Sequence, residues 1–347
     1  MATGIVALAA KAQGLQAIAT GLFAISSAAF AILSFLMSMR LICDRNALSA
    51  EFSQHRTAMG FLTIVAAAAV LGSEFAVQAR QSLVGVVLWL AACGLWAGLV
   101  YGLFARLATR TAKPLLVEGL DGAWLLVAVA TAALAVLATD VMGAWGRPDI
   151  IAWLSLLWFL LGGFFYLIVI ALIVYRWLFE PLAAEALSAT YWINMGAMAI
   201  ATLVGARLES IAGAEPLLKW LLPGIALATT LCWAVATWWT PLLLLMAIWR
   251  HGGCGVPLSY RLEYWSMVFP LGMYTAATSA FAAANRLDFL SWIPGVFIWI
   301  ALAAWGAVFV GMVRRAIAGP ERRSGQRLGE RNYPAPSGEA GIRKRPR

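Results

Sequence analysis

Glu74, Asp121, Asp140 and Arg207 fall within or at the edges of long apolar stretches, all near the ends of those stretches. No two of them share a spacing that would make a paired-carboxylate site. His55 and His251 lie far apart, and Cys43, Cys93, Cys232 and Cys254 share no metal-ligand spacing and set up no disulfide framework. Bond-making chemistry needs clustered His, Asp, Glu or Ser around one pocket. The chain offers none, so neither enzymatic activity nor a metal or organic cofactor is expected. The segment that stands out is Tyr260-Arg-Leu-Glu-Tyr-Trp-Ser-Met-Val-Phe-Pro-Leu-Gly-Met-Tyr-Thr-Ala-Ala-Thr. Pro270 lacks a backbone donor and crowds the preceding turn, so it predicts a kinked helix, with Gly272 adding freedom. Phe269 is the bulky ring on an otherwise small-residue helix. It either closes a lumen as a hydrophobic gate or packs between helices.

The elements that carry these residues are set by composition. Of 347 residues, 63% are apolar and 12% charged, with a mean hydropathy of +0.84. A soluble domain has about 25% charged residues. A membrane crossing needs roughly 20 mostly apolar residues, and in lipid the backbone must satisfy its own hydrogen bonds as helix. Ten stretches fit, near Met1–Ala10, Leu15–Met39, Thr57–Val77, Ser82–Leu107, Gly122–Val141, Ile151–Trp177, Ala189–Leu208, Leu217–Trp249, Tyr264–Ala284 and Trp292–Val313. The first is too short to span. It lacks the flanks of a signal peptide, which leaves a start inside the first helix or a short, re-entrant helix.

The stretches alternate. Odd ones are rich in Ala, Gly and Thr and repeat a Met-Gly texture, as in Met59-Gly60 and Met195-Gly196. Even ones hold 13 of the 17 tryptophans. This texture predicts helix-hairpin repeats of roughly 60 residues. Small residues suit close packing or an open lumen, and bulky ones suit lipid. The fold class expected is an all-α membrane protein, five helical hairpins with odd helices inside and even helices outside. The pattern alone fits a central pore and a compact bundle equally well.

Lys and Arg set the orientation. With ten crossings and a cytoplasmic amino end, 19 of the 25 fall in inside loops and the tail. Both termini are then cytoplasmic. Residues 1–317 form the transmembrane domain, and 318–347 a disordered basic tail facing an anionic leaflet. The charge of +9 therefore does not indicate nucleic acid. The excess of Arg over Lys and the abundance of Ala fit a GC-rich bacterial gene, which places the chain in a bacterial plasma membrane.

Three motifs carry a family resemblance. Tyr264-Trp-Ser-Met-Val-Phe-Pro-Leu-Gly-Met-Tyr274 resembles the ninth-helix motif of the tellurite-resistance/dicarboxylate transporter family. That family includes plant slow anion channels, malate permeases and sulfite efflux pumps. Met1-Ala-Thr-Gly-Ile-Val is similar to its first-helix motif, with Ala2 in place of a Gly. Tyr191-Trp-Ile-Asn-Met-Gly-Ala197 is similar to its seventh-helix segment. The resemblance spans Met1 to about Val313. It implies five hairpins around a pseudo-fivefold axis, a homotrimer with one pore per protomer, and a gating Phe at the position of Phe269.

The function expected is passage of small anions through a gated pore: chloride, nitrate, sulfite, tellurite or a C4-dicarboxylate. Phe269 is assigned as gate and Pro270 and Gly272 as hinge. Thr3, Gly4, Gly60, Thr63, Gly196, Thr202 and Thr275 are assigned to the pore lining by helix membership. The alternatives are a proton-coupled malate carrier or sulfite exporter, with Glu74 or Asp140 as its titratable group, and more remotely a membrane-embedded enzyme.

Overall fold

A computed structural model describes residues 1–144, 147–213 and 215–318; all of the expected tail beyond Ala318, and Trp145, lie outside the described residues. The helices in order are α1 (Ala2–Ala12), α2 (Gln16–Cys43), α3 (Arg45–Phe52), α4 (His55–Ala58), α5 (Thr63–Val77), α6 (Ser82–Ala108), α7 (Leu116–Gly119), α8 (Leu126–Val141), α9 (Pro148–Phe179), α10 (Ile193–Ile211), α11 (Pro216–Ile248), α12 (Trp265–Asn285) and α13 (Trp292–Ala318). Among the described residues nine helical spans are long and apolar enough to cross a membrane. The tenth expected span, α1, is an apolar helix of 11 residues. The expected stretches match these spans, mostly within a turn at each end. The short helix α3 lies in a loop that the hydropathy pattern does not mark, because it is polar and follows α2 almost directly.

Five antiparallel hairpins organise the chain: α1 with α2, α5 with α6, α8 with α9, α10 with α11, and α12 with α13. Their first members form a closed ring, in which α1 packs on α5, α5 on α8, α8 on α10, α10 on α12, and α12 back on α1. Each inner helix is separated from the next by one outer helix, so all five inner helices run the same way. The alternation of texture maps onto this ring as expected. Almost every residue of α8 and α10 is buried, whereas α2, α9, α11 and α13 leave most of their surface to the surroundings. Ala and Gly dominate the inner helices because each must approach neighbours on several sides.

Four inner helices share one more repeat. The 3₁₀ turns Met59–Leu62, Gly122–Leu125, Ala189–Trp192 and Leu262–Tyr264 each run directly into α5, α8, α10 and α12. Asp121 caps the second of them, accepting from the Ala123 amide at 3.0 Å. Burial raises the pKa of its carboxyl, against the pull of that hydrogen bond. Pro148 and Pro216 begin α9 and α11, where a missing N–H costs nothing.

The tryptophans of the outer helices divide in two. Trp220, Trp238 and Trp299 are exposed and suit a lipid surface. Others turn inward. Trp96 Nε1 donates to Thr131 Oγ1 at 2.9 Å, Trp233 Nε1 to Thr278 Oγ1 at 3.2 Å, and Trp305 Nε1 to Thr3 Oγ1 at 3.1 Å. In each pair an outer helix reaches the inner helix of the following hairpin. The expectation that bulky outer side chains face lipid is corrected here. An indole N–H in an apolar setting needs an acceptor, and inner-helix hydroxyls supply it.

Candidate functional site

A cavity of about 410 Å³ sits on the ring axis and is lined by all five inner helices. Its wall is built from one spacing used five times: Ile5, Leu8 and Ala12; Val70, Ser73 and Val77; Ala133, Val136 and Asp140; Ile200, Leu203 and Arg207; Met273, Ala276 and Ala280. Residues three and seven apart share one helix face. The five stripes therefore stack into layers: a deep one (Ile5, Val70, Ala133, Ile200, Met273), a middle one (Leu8, Ser73, Val136, Leu203, Ala276) and an outer one (Ala12, Val77, Asp140, Arg207, Ala280). The stripes recur 65, 63, 67 and 73 residues apart, which refines the sequence repeat.

Extending the stripes of α5, α8, α10 and α12 one turn toward the helix starts gives Ala66, Val129, Gly196 and Phe269, while Met1, just before α1, lines a separate groove. Phe269 is thus the one ring in a layer whose members on α5, α8 and α10 are no larger than valine, and it is 1% exposed. Pro270 lies beside Gly196. A Cβ on Gly196 would come within 2.8 Å of the Pro270 ring, so only Gly lets α10 and α12 approach this closely. Gly272 does the same for α1, since a Cβ there would lie 2.9 Å from Val6 Cγ2. The helix α12 continues through Pro270 without a break.

The other assigned lining residues are not brought together on the cavity. Thr3 points outward to Trp305. Thr63 faces a separate groove among α1, α2, α5 and α6, which Thr3 also borders. Thr202 and Thr275 are fully buried and donate to the carbonyls of Met198 and Leu271 on their own helices. Gly4 packs against Glu74, where a Cβ would lie 2.5 Å from Oε2. Gly60 sits exposed in a 3₁₀ turn. Assignment by helix membership carries no face: these residues sit on the inner helices or, for Gly60, in the turn before α5, and the cavity lining does not include them. Inner helices are apolar all round, so the pattern gives no phase.

Two charges need correcting. Asp140 and Glu74 are near helix ends in sequence, where snorkelling to the membrane surface is cheap, yet both side chains are buried. Glu74 is 1% exposed, accepts from Ser26 Oγ at 2.6 Å, and is turned toward α1 and α2, away from the cavity. The Asp140 side chain is 2% exposed and pairs with Arg207, Nη1 to Oδ1 at 3.0 Å. Arg207 is 40% exposed and reaches into the cavity mouth. Lys11 joins it there and donates to the Val77 carbonyl. The polar groups of the cavity are therefore Lys11, Asp140, Arg207, Ser73 and Ser279; the assigned threonines are absent from it. Buried ion pairs are retained only with close geometry, and two cations against one carboxylate leave the mouth positive.

At the opposite end Arg176, buried at the end of α9, donates to the Leu120 carbonyl and to the Tyr191 hydroxyl. This ties the entry of α8 to that of α10. The side chain of Arg176 is a positioning group with no access to the cavity wall.

An uncharacterized membrane protein of Mycobacterium tuberculosis is 37% identical over 168 residues, covering 48% of this chain and 85% of that protein. An uncharacterized transporter of Methanocaldococcus jannaschii is 19% identical over 262 residues, 74% of this chain and 73% of the other. A second transporter of that archaeon is 20% identical over the same length. The model of the voltage-dependent anion channel family matches residues 1–313, which takes in every inner helix and all five lumen stripes. The chain belongs to the voltage-dependent anion channel family and is a multi-span membrane transporter of small anions.

Proposed function

We propose that anions move along the axis of the inner ring and that Phe269 closes the path. The observation that carries this is the fivefold stripe. One helix face per hairpin meets a common cavity, and the same stripes lead to Phe269 one turn deeper. Pro270 and Gly272 form the hinge on which α12 would carry the ring aside. Gly196 lies against that hinge, so α10 guides the movement. The remaining lining assignments are not part of the proposal.

The substrates we assign are small inorganic anions, chloride and nitrate first. The deep and middle layers hold one hydroxyl, Ser73, among aliphatic side chains, so an ion must give up water there with little in return. Sulfite and C4-dicarboxylates carry more charge and are disfavoured by that lining. The membrane is the bacterial plasma membrane, both termini are cytoplasmic, and the cavity mouth faces outward. The protomer works within a homotrimer, each copy with its own path. The role is transport without catalysis.

A second reading, a proton-coupled carrier or exporter, draws on one observation: Asp140 is a titratable group on the cavity wall. Flux into proteoliposomes separates the two. The native chain and Phe269→Ala are compared across chloride, nitrate, sulfite and malate. A strong gain in Phe269→Ala supports the gated channel. No gain, or a saturating flux that follows a pH gradient, moves the assignment to the carrier.

A further inference from the structure

We propose that the outer layer of the cavity is a binding site for one small monovalent anion, held by Arg207 and Lys11, and that Asp140 is its tethered competitor. The proposal rests on the conducting-path reading and adds a site to it.

Asp140 and Arg207 form an ion pair between α8 and α10. Its two members are unequally placed: the Asp140 carboxylate is almost wholly enclosed, while the Arg207 guanidinium is 40% exposed. A pair whose only task is to join α8 to α10 has no need of an exposed cation. Guanidinium carries five N–H donors in a fixed fork. Apart from its pairing with Asp140, Arg207 has no side-chain partner among the described residues. Those remaining donors belong to a side chain on the cavity wall. Lys11 lines the same cavity with three donors, one of them on the Val77 carbonyl. Ser279 adds a hydroxyl, steadied by Gln13 Nε2 at 3.4 Å.

Charge fixes the ligand class. Among the described residues, Lys11, Arg207 and Asp140 are the charged side chains on this wall, and they sum to one net positive charge. A single monovalent anion neutralises it. Apart from the hydroxyls of Ser73 and Ser279 the rest of the wall is apolar, which weakens screening and strengthens attraction to the two cations. Asp140 faces Arg207 as an ion pair at 3.0 Å without hydrogen-bond geometry, so its charge competes with an arriving anion and sets how tightly that anion is bound. A tightly held ion does not move on, and conduction needs binding weak enough to release. The carboxylate keeps the site in that range.

The test reads binding without flux. The full-length protein in detergent is melted in sodium nitrate against sodium gluconate at constant ionic strength. A bound anion raises the unfolding midpoint in proportion to its occupancy. The wild type is expected to gain stability with nitrate. Asp140→Asn is expected to show the same gain at roughly tenfold lower nitrate, because competition for Arg207 is a coupling between two ligands. Arg207→Gln leaves Asp140 buried and unpaired and so is prone to misfold. The double variant D140N/R207Q removes both charges, and it is expected to melt cooperatively with no response to nitrate. A nitrate response in the double variant equal to wild type, or no shift in Asp140→Asn, overturns the site and reduces the pair to a helix tie. Flux through Phe269→Ala is measured on the same preparations. Flux with no nitrate-specific stabilisation overturns the site and leaves the path intact. Nitrate stabilisation without flux supports the site and removes the conduction reading.

Discussion

Trp305 Nε1 donates to Thr3 Oγ1 at 3.1 Å, a hydrogen bond across 302 positions that joins the last helix of the chain to the first. It is one of three Trp-to-Thr bonds between consecutive hairpins, and the one that closes the circle. Trp305→Phe keeps the ring and removes the donor. It is expected to lower stability in detergent by about 1 kcal/mol, within the range for polar contacts between membrane helices. Anion selectivity should be unchanged, since Thr3 faces away from the axis. A change in selectivity in Thr3→Val would place that hydroxyl in the path.

Gly196→Ala tests the contact beside the gate. The added methyl meets the Pro270 ring at 2.8 Å, and its Cα at 3.4 Å. Overpacking of this kind costs about 1–3 kcal/mol, relieved by moving α12 off α10. Basal anion flux is therefore expected to rise along with the loss of stability. Unchanged flux at reduced stability would show that α12 can shift without moving Phe269.

Aliphatic lining predicts an order among anions. Nitrate should pass faster than chloride through Phe269→Ala, and sulfate slowest. Leu203→Thr places a hydroxyl in the middle layer and is expected to narrow the nitrate-to-chloride ratio. Reversal potentials in bi-ionic solutions read this directly. A preference for chloride in the parent would contradict the apolar path.

Glu74 offers the cleanest discrimination between channel and carrier. Its carboxyl is turned toward Ser26 and Gly4, behind the wall. Glu74→Gln should leave the pH profile of flux unchanged and affect mainly folding. Loss of pH dependence on this change would make Glu74 the coupling group and overturn its assignment as a packing residue.

The crossings and their inner or outer place were legible in the sequence because lipid imposes both. Length and apolarity fix the spans, and Ala-rich texture marks helices packed on several sides. The lumen face was not legible. An inner helix such as α8 is apolar all round, so no polar stripe announces the axis. The threonines misled for a definite reason. Hydroxyls on inner helices face outer tryptophans or their own preceding turn more readily than an aliphatic path. Asp140 and Arg207 lie 67 residues apart, and only the ring brings α8 beside α10. The usable signal was the three-then-four spacing that recurs in each hairpin, visible once Arg207 and Asp140 are aligned as equivalents.

The Phe269 layer contains no charged side chain, yet its position has an electrical meaning. Ala66, Val129 and Gly196 are each the fourth residue of their helices, and Phe269 is the fifth of α12. With the 3₁₀ turns that lead into them, four inner helices begin two turns or more before this layer, so their amino ends, each equivalent to about half a positive charge, lie on its far side from the cavity. Their carboxyl ends, equally negative, gather at the mouth, where the two cations Lys11 and Arg207, against the one carboxylate of Asp140, counter part of that field. An anion that approaches the Phe269 layer from the side away from the cavity meets the positive ends of the backbone dipoles. Because that field points one way along the axis, the open path should rectify, passing anions more readily in one direction than the other.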